Sequence, residues 1–409
     1  MSLRPYATSL SRPQSRLDAV LRSIGRVSIG AGEARTCGEA YSLGLFGLLN
    51  DDEYSVLMQK EYALCDMRGV NTVTKAKFEE IFGADPQGKR LAVLYVRLCG
   101  KDVLWFTENQ SCIFKIFKEF VSLSSAINYP ITLPRVNKLV FAAYVAHLND
   151  DKNLWEELGK GSIILPNLKE LIVDISSPDQ DLANFFSSLP DNALQSLTTL
   201  DVSNRSRDEF GTLRKPFGYA GADALAKACL RDAFPNLKIL ELTDCMIGDK
   251  GTRSIAHALK QQKLSNLETL MMGNNRIGND GMKALCDAAR DGINLANLKI
   301  LNMTENNIGD EGVRALAEEC KNGALSNLEE LTFYENHVAV AGLNALADAV
   351  NDDNTLQKLE LLWMFDDWSI LDFGNGSFEA LDNLEKACKS RQVTLVSKFD
   401  SWSPRWTTS

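Results

Sequence analysis

The chain has 409 residues, more than one hydrophobic core usually supports, which points to two domains or an elongated repeat array. With 45% hydrophobic and 24% charged residues it is composed like a globular protein, not a disordered, collagen-like or coiled-coil one. Residues 1–150 hold 18 Lys+Arg against 15 Asp+Glu and the remainder 26 against 39, so the acidity sits in the C-terminal part and disfavours nucleic acid as its partner.

No stretch reaches the roughly 18 uninterrupted apolar residues of a membrane span, and the N-terminus has no compact apolar segment behind a positive start. A soluble, cytoplasmic protein is expected. The nine cysteines include no C-x-x-C pair, and three histidines cannot complete a zinc or haem spacing. Free thiols, no metal and no cofactor follow as expectations.

In chain order, residues 1–30 contain five arginines, six serines and one acid, a composition shared with mitochondrial presequences. Leu17, Val20, Leu21, Ile24 and Val27 nevertheless recur at helical spacing behind the capping-box-like Ser15-x-x-Asp18, which favours an ordinary packed helix. Residues 40–125 read mainly helical, with breaks at Asp66–Thr74 and Gly100–Phe106. The run Tyr62–Phe82 resembles an EF-hand in rhythm, with Leu104-Trp105-Phe106-Thr107-Glu108 as its decayed partner. Its ligand positions are Asp66, Arg68, Val70 and Lys77, so three of the four oxygen ligands are lost and no calcium is expected there. Gly83-Ala-Asp-Pro-Gln-Gly88-Lys89-Arg90 nearly matches a phosphate-binding loop. Arg90 stands where the magnesium-holding hydroxyl would be, and a helical pattern precedes it in place of a strand.

Four segments then align without gaps, beginning at Leu237, Leu267, Leu298 and Leu328, with weaker copies at Val136, Leu168, Leu197 and Leu356. Each has apolar residues at positions 1, 4 and 6, a strand rhythm, followed by a helical one, such as Ile255-Ala256-Ala258-Leu259. Position 9 is Asn275, Asn306 and Asn336, with Cys245, Arg205 and Met364 as departures; its side chain is placed to satisfy backbone groups where the strand ends. Gly251, Gly281, Gly312 and Gly342 share one offset near the helix start, where a side chain would obstruct packing or an unusual φ is needed.

These repeats resemble the leucine-rich repeat family, in its long ribonuclease-inhibitor-like subtype. The resemblance covers residues 131–365 and implies an α/β solenoid of about eight strand–helix units, with parallel strands inside and helices outside. It divides the chain into a mainly helical N-terminal domain (1–130), the solenoid (131–365) and a C-terminal cap and tail (366–409), the tail carrying Trp402 and Trp406.

In that geometry positions 3, 5, 7 and 8 face away from the helices onto the concave sheet. Nine acids fall there: Glu170, Asp174, Asp201, Glu241, Asp244, Glu305, Glu330, Glu335 and Glu360. Lys358 is the lone base. Strands about 4.8 Å apart lie within a Debye length of about 8 Å, so the carboxylates reinforce one another. A basic protein partner or a solvent-tolerated acidic surface both fit. Tyr334, Leu362 and Trp363 join the face as aromatic and apolar anchors, or Trp363 packs beneath the cap. About ten extra residues within Arg205–Tyr219 bring Arg207, Phe210, Arg214 and Phe217 to a rim loop that either contacts the partner or folds back on the sheet.

The function expected is a non-enzymatic, monomeric interaction scaffold with no nucleic-acid, membrane or calcium binding. The alternative is a GTPase-activating protein like those of Ran, which share the long repeat; no residue here matches a catalytic arginine, and those proteins lack a comparable N-terminal region.

Overall fold

A computed structural model describes residues 98, 102–106, 117–118, 120–122, 131–133, 135–141, 152–161, 163–173, 179–204, 217–290, 295–364 and 376–396. The helix expected near the N-terminus, the run Tyr62–Phe82 read as EF-hand-like, the stretch Gly83–Arg90 and Trp402 and Trp406 lie outside the described residues. Contacts divide the chain into two compact units, Met1–Lys169 and Glu170–Ser409.

In the first unit, β1 (Val103–Phe106) runs parallel to β3 (Lys138–Phe141) with Leu104 opposite Leu139. A second parallel pair joins β2 (Ile131–Thr132) to β4 (Ile163–Ile164). Between them lies α1 (Lys152–Gly159). The copy at Val136 is therefore a strand, with its positions 1, 4 and 6, Val136, Leu139 and Phe141, all buried. Leu104-Trp105-Phe106 is a parallel strand as well, not the decayed calcium loop expected, because its hydrogen-bonding groups are taken by β3. Phe141 packs against Trp155 at 4.7 Å and Phe117 at 6.4 Å between ring centroids, and Arg135 holds Asp102 through both nitrogens of a fork, at 2.8 and 3.1 Å.

In the second unit, eight short strands pair in parallel in chain order: β5 (Glu170–Val173), β6 (Thr199–Asp201), β7 (Ile239–Glu241), β8 (Thr269–Met271), β9 (Ile300–Asn302), β10 (Glu330–Thr332), β11 (Leu361–Trp363) and β12 (Thr394–Val396). Helices alternate with them: α2 (Asp179–Ser188), α3 (Gly218–Leu230), α4 (Gly248–Lys260), α5 (Asn279–Ala289), α6 (Asp310–Lys321), α7 (Val340–Asn351) and α8 (Ser377–Arg391). Parallel strands need a long crossover, which each helix supplies. Each helix packs on the next one in sequence.

The core is the apolar periodicity made physical. Position 4 is Leu171, Leu200, Leu240, Leu270, Leu301, Leu331 and Leu362, and position 6 is Val173, Val202, Leu242, Met272, Met303, Phe333 and Met364; all are buried. The register of the last unit differs from the sequence reading. Leu362 lies opposite Leu331, and the N–H of Leu359 bonds the carbonyl of Leu356 as Leu328 does Leu325 and Leu298 does Leu295. That unit starts at Leu359, 31 residues after Leu328, not at Leu356. Met364 is thus a core residue at position 6 and no departure from the asparagine rule.

Position 9 does what its chemistry requires. Asn306 Oδ1 accepts from the N–H of Asn275 (3.0 Å) and Ile277 (2.9 Å), and its amide donates to the carbonyls of Met272 (2.9 Å), Met303 (3.0 Å) and Thr304 (3.0 Å). Asn275 makes the same bridge one unit earlier and Asn336 one unit later. Cys245 keeps only the donor half, Sγ to the Val202 carbonyl at 3.2 Å.

Two further ladders hold the stack. The Asn before each position-1 leucine, Asn236, Asn266, Asn297 and Asn327, donates to a carbonyl of the previous unit, respectively Gln195, Pro235, Ser265 and Ala296. At the helix starts, Asp249 accepts from the N–H groups of Gly278 and Gly281, Asn279 from Gly309 and Gly312, and Asp310 from Ala339 and Gly342. Each thereby caps the helix of the following unit with an oxygen. The recurring glycine belongs to this contact. A Cβ on Gly281 would lie 2.6 Å from Asp249 Oδ1, and on Gly342 2.7 Å from Asp310 Oδ1; close packing, not a positive φ, selects glycine there.

Candidate protein-binding face of the sheet

Successive strand residues alternate faces, so positions 3 and 5 of β5–β11 lie opposite the leucine core. None of the described side chains at positions 3, 5, 7 and 8 of these units is Lys or Arg. The single base assigned to the face, Lys358, leaves it with the corrected register and donates at the rim to Asn327 Oδ1 at 2.6 Å.

The acids distribute unevenly. Asp201 is buried and accepts the N–H of Ser203 at 3.0 Å, so it caps its own strand end where solvent exposure had been expected. Glu241, half-buried, accepts from the Thr243 N–H (3.1 Å) and hydroxyl; Asn302 holds Thr304 in the same way. Asp244 receives the amide of Asn274. Glu360 falls at position 2, off the sheet face, because its unit begins at Leu359. It continues a rim ladder in which Glu268 joins Lys238 (2.7 Å) and Lys299 (2.9 Å). Hydrogen bonds from those two ammonium groups hold the Glu268 carboxyl below its ordinary range. Asp174 lies outside the described residues.

Of the other acids, Glu170, half-buried, stands apart on β5; Glu305 and Glu335 follow β9 and β10 and are exposed, and Glu330 opens β10 and is half-buried. Beside them Tyr334 stacks on Trp363, ring centroids 5.4 Å apart and 17° from parallel. Both rings are half-buried. Leu362 is no part of this face: at 0% exposed it is core. Position 8 is left-handed in four consecutive units, with φ of 61° at Asp244, 50° at Asn274, 53° at Glu305 and 51° at Glu335. Asp and Asn tolerate that conformation; glutamate has no such local preference.

Of the rim insert, Arg207, Phe210 and Arg214 lie outside the described residues. Phe217 is 3% exposed, edge-on to Phe186 at 5.9 Å and pressed on Gly221. Phe217 is itself part of the core and cannot contact a partner. Tyr219 is 59% exposed, with Lys250 Nζ 5.8 Å from its ring centroid. His257 and His337 are both exposed and in different units. The asparagine row before each leucine was readable as an Asn-Leu dipeptide at the repeat period. The Tyr334–Trp363 stack had no such signal, since it depends on which residues share a register.

Three stretches, 235–256, 263–286 and 294–317, match the Leucine Rich repeat family. Among solved structures the chain is similar to a Bacteroides fragilis protein at 17% identity, covering 72% of this chain and 82% of that one, TM-score 0.34. It is also similar to an internalin from Listeria monocytogenes at 14% identity, covering 80% and 98%, TM-score 0.25. Superpositions this loose bear on neither site nor partner. No curated protein matches the sequence.

Proposed function

This chain is a leucine-rich-repeat protein, and from that premise we propose that it is a non-enzymatic interaction scaffold of the ribonuclease-inhibitor-like subtype that binds a basic protein on its sheet face. The observation that carries the reading is the union of Glu305, Glu330 and Glu335 with the Tyr334–Trp363 stack, on a face whose described positions hold no base. Aromatic anchors supply binding energy, and a field of one sign steers association and sets partner choice. The strands hold these side chains in place before encounter, so less conformational entropy is lost on binding. The partner residues are Glu305, Glu330, Tyr334, Glu335 and Trp363, with Glu241 and Asp244 at the flank. The five described cysteines are free and buried, which fits a reducing, cytoplasmic setting. Among the described residues no helix is long and apolar enough to cross a membrane.

The test is capture by the full chain at low and at high salt, followed by titration of the purified captured protein against wild type and the triple variant Glu305→Gln/Glu330→Gln/Glu335→Gln. Basic proteins, released by salt and bound more weakly by the variant, are expected. Salt-insensitive binding of equal affinity to both would refute the reading.

A further inference from the structure

Resting on that reading of the face, we infer that its end across β10 and β11 is a socket for one arginine of the partner, engaged through both the guanidinium and a neighbouring backbone carbonyl.

The cation half follows from the aromatic pair and its surroundings. Tyr334 and Trp363 are stacked and nearly parallel, so each turns one face to the other and an outer ring face is left for a ligand. A cation over such a ring is attracted by its quadrupole, and a planar guanidinium can stack there while its edge forks to a carboxylate. Glu335 directly follows Tyr334 and is exposed, and Glu330 stands two residues before Thr332 on the same face of β10. An anion would meet these carboxylates unfavourably, which removes phosphate and acidic peptides from consideration.

The carbonyl half follows from two orphaned groups. Trp363 Nε1 is buried and has no hydrogen-bond partner among the described residues, and the same holds for Thr332 Oγ1 on a residue 3% exposed. Thr332 and Trp363 are paired in register at position 5 of neighbouring strands. An indole N–H can only donate, and leaving a buried donor unpaired is costly. The ligand that relieves it brings an acceptor oxygen within a residue's reach of a cation. A simple amine lacks the acceptor. An arginine in an extended peptide has both.

The full chain, with indole groups labelled by ¹⁵N, is titrated with N-acetyl-arginine N-methylamide and separately with its citrulline analogue, an uncharged near-isostere. The Trp363 indole signal is identified as the one missing in Trp363→Phe. It is expected to shift with the arginine probe, with the citrulline probe at least about tenfold weaker, the scale of one charge-assisted contact. Trp363→Phe keeps an aromatic ring at the stack, smaller than the indole, and removes the donor. It should weaken the arginine probe about tenfold. An unmoved indole signal or equal binding of both probes would each overturn the socket. The two readings separate cleanly. If the captured basic protein binds Trp363→Phe undiminished but the triple glutamine variant poorly, the socket fails and the face stands. If it binds both undiminished, the face fails too.

Discussion

Asn306 is the position where the stack is most dependent on a single side chain, and Asn306→Leu isolates that dependence. The side chain is 3% exposed and makes five hydrogen bonds, two from backbone N–H groups and three to carbonyls. Leucine has the same branched shape and is somewhat larger, so the change leaves no cavity, but Asn275 N–H and Ile277 N–H lose their acceptor inside the protein. Each orphaned buried group costs about 1–3 kcal/mol. The carbonyls suffer less, having second lone pairs and neighbours. Two donors at mid-range give a loss of about 4 kcal/mol, offset by about 1 kcal/mol from the added apolar burial, for a net of about 3 kcal/mol. Asn306→Cys should cost less, since Cys245 shows that a thiol retains a donor to the facing carbonyl. Urea unfolding followed by circular dichroism gives the stability change, and amide hydrogen exchange at Asn275 and Ile277 gives the local one. The reasoning predicts fast exchange at those two amides and the order Leu worse than Cys. A loss under about 1 kcal/mol for Asn306→Leu, with both amides still protected, would refute it, because the N–H groups would then have another acceptor.

Gly281→Ala gains about 1 kcal/mol of helix propensity but drives a Cβ to 2.6 Å from Asp249 Oδ1 and 2.7 Å from Ile277 Cγ2. Loss of the cap and overpacking together cost about 3 kcal/mol, so a net loss near 2 kcal/mol is expected by urea titration; a stabilised variant would contradict the packing account. Glu335→Asn removes a glutamate from a left-handed position and one charge from beside Glu305, and should raise stability by about 0.5–1 kcal/mol while weakening capture of the basic partner; lowered stability together with unchanged capture would count against both halves. The carboxyl of Glu268 is held below its ordinary range by Lys238 and Lys299, so its contribution is present above the unfolded carboxylate pKa and disappears as pH falls through the lower folded one. As a rim pair in partial solvent it is worth no more than about 1 kcal/mol. The stability difference between wild type and Glu268→Gln, measured by urea titration across acid pH, should therefore shrink as pH falls; a pH-independent difference would show that the ladder contributes no charge interaction.

How legible the protein was depends on the distance over which each feature is decided. Leucines at positions 1, 4 and 6 and asparagine at 9 are set by a strand's two-residue alternation and by one turn, so the repeats, their strands and the role of Asn275, Asn306 and Asn336 follow from the sequence alone. The glycines at 251, 281, 312 and 342 were visible, but only stacking showed that the preceding unit's side chains crowd them, Ala222 at Gly251 and Asp249, Asn279 and Asp310 at the other three. The last unit was ambiguous because Leu356 and Leu359 both begin a run with apolar residues at 1, 4 and 6; pairing with β10 chose Leu359, and that shift moved Glu360 and Lys358 off the face and Leu362 into the core. Burial of Asp201 and Phe217 was likewise invisible, since each depends on neighbours remote in sequence. The sequence by itself determined the repeating unit and the excess of acids over bases in the C-terminal part, because the first recurs in each copy and the second is a matter of composition. Only the tertiary structure decided that Tyr334 meets Trp363 and that Trp363 Nε1 has no acceptor among the described residues, because that meeting occurs between strands about 30 residues apart whose register is fixed by hydrogen bonds across the sheet.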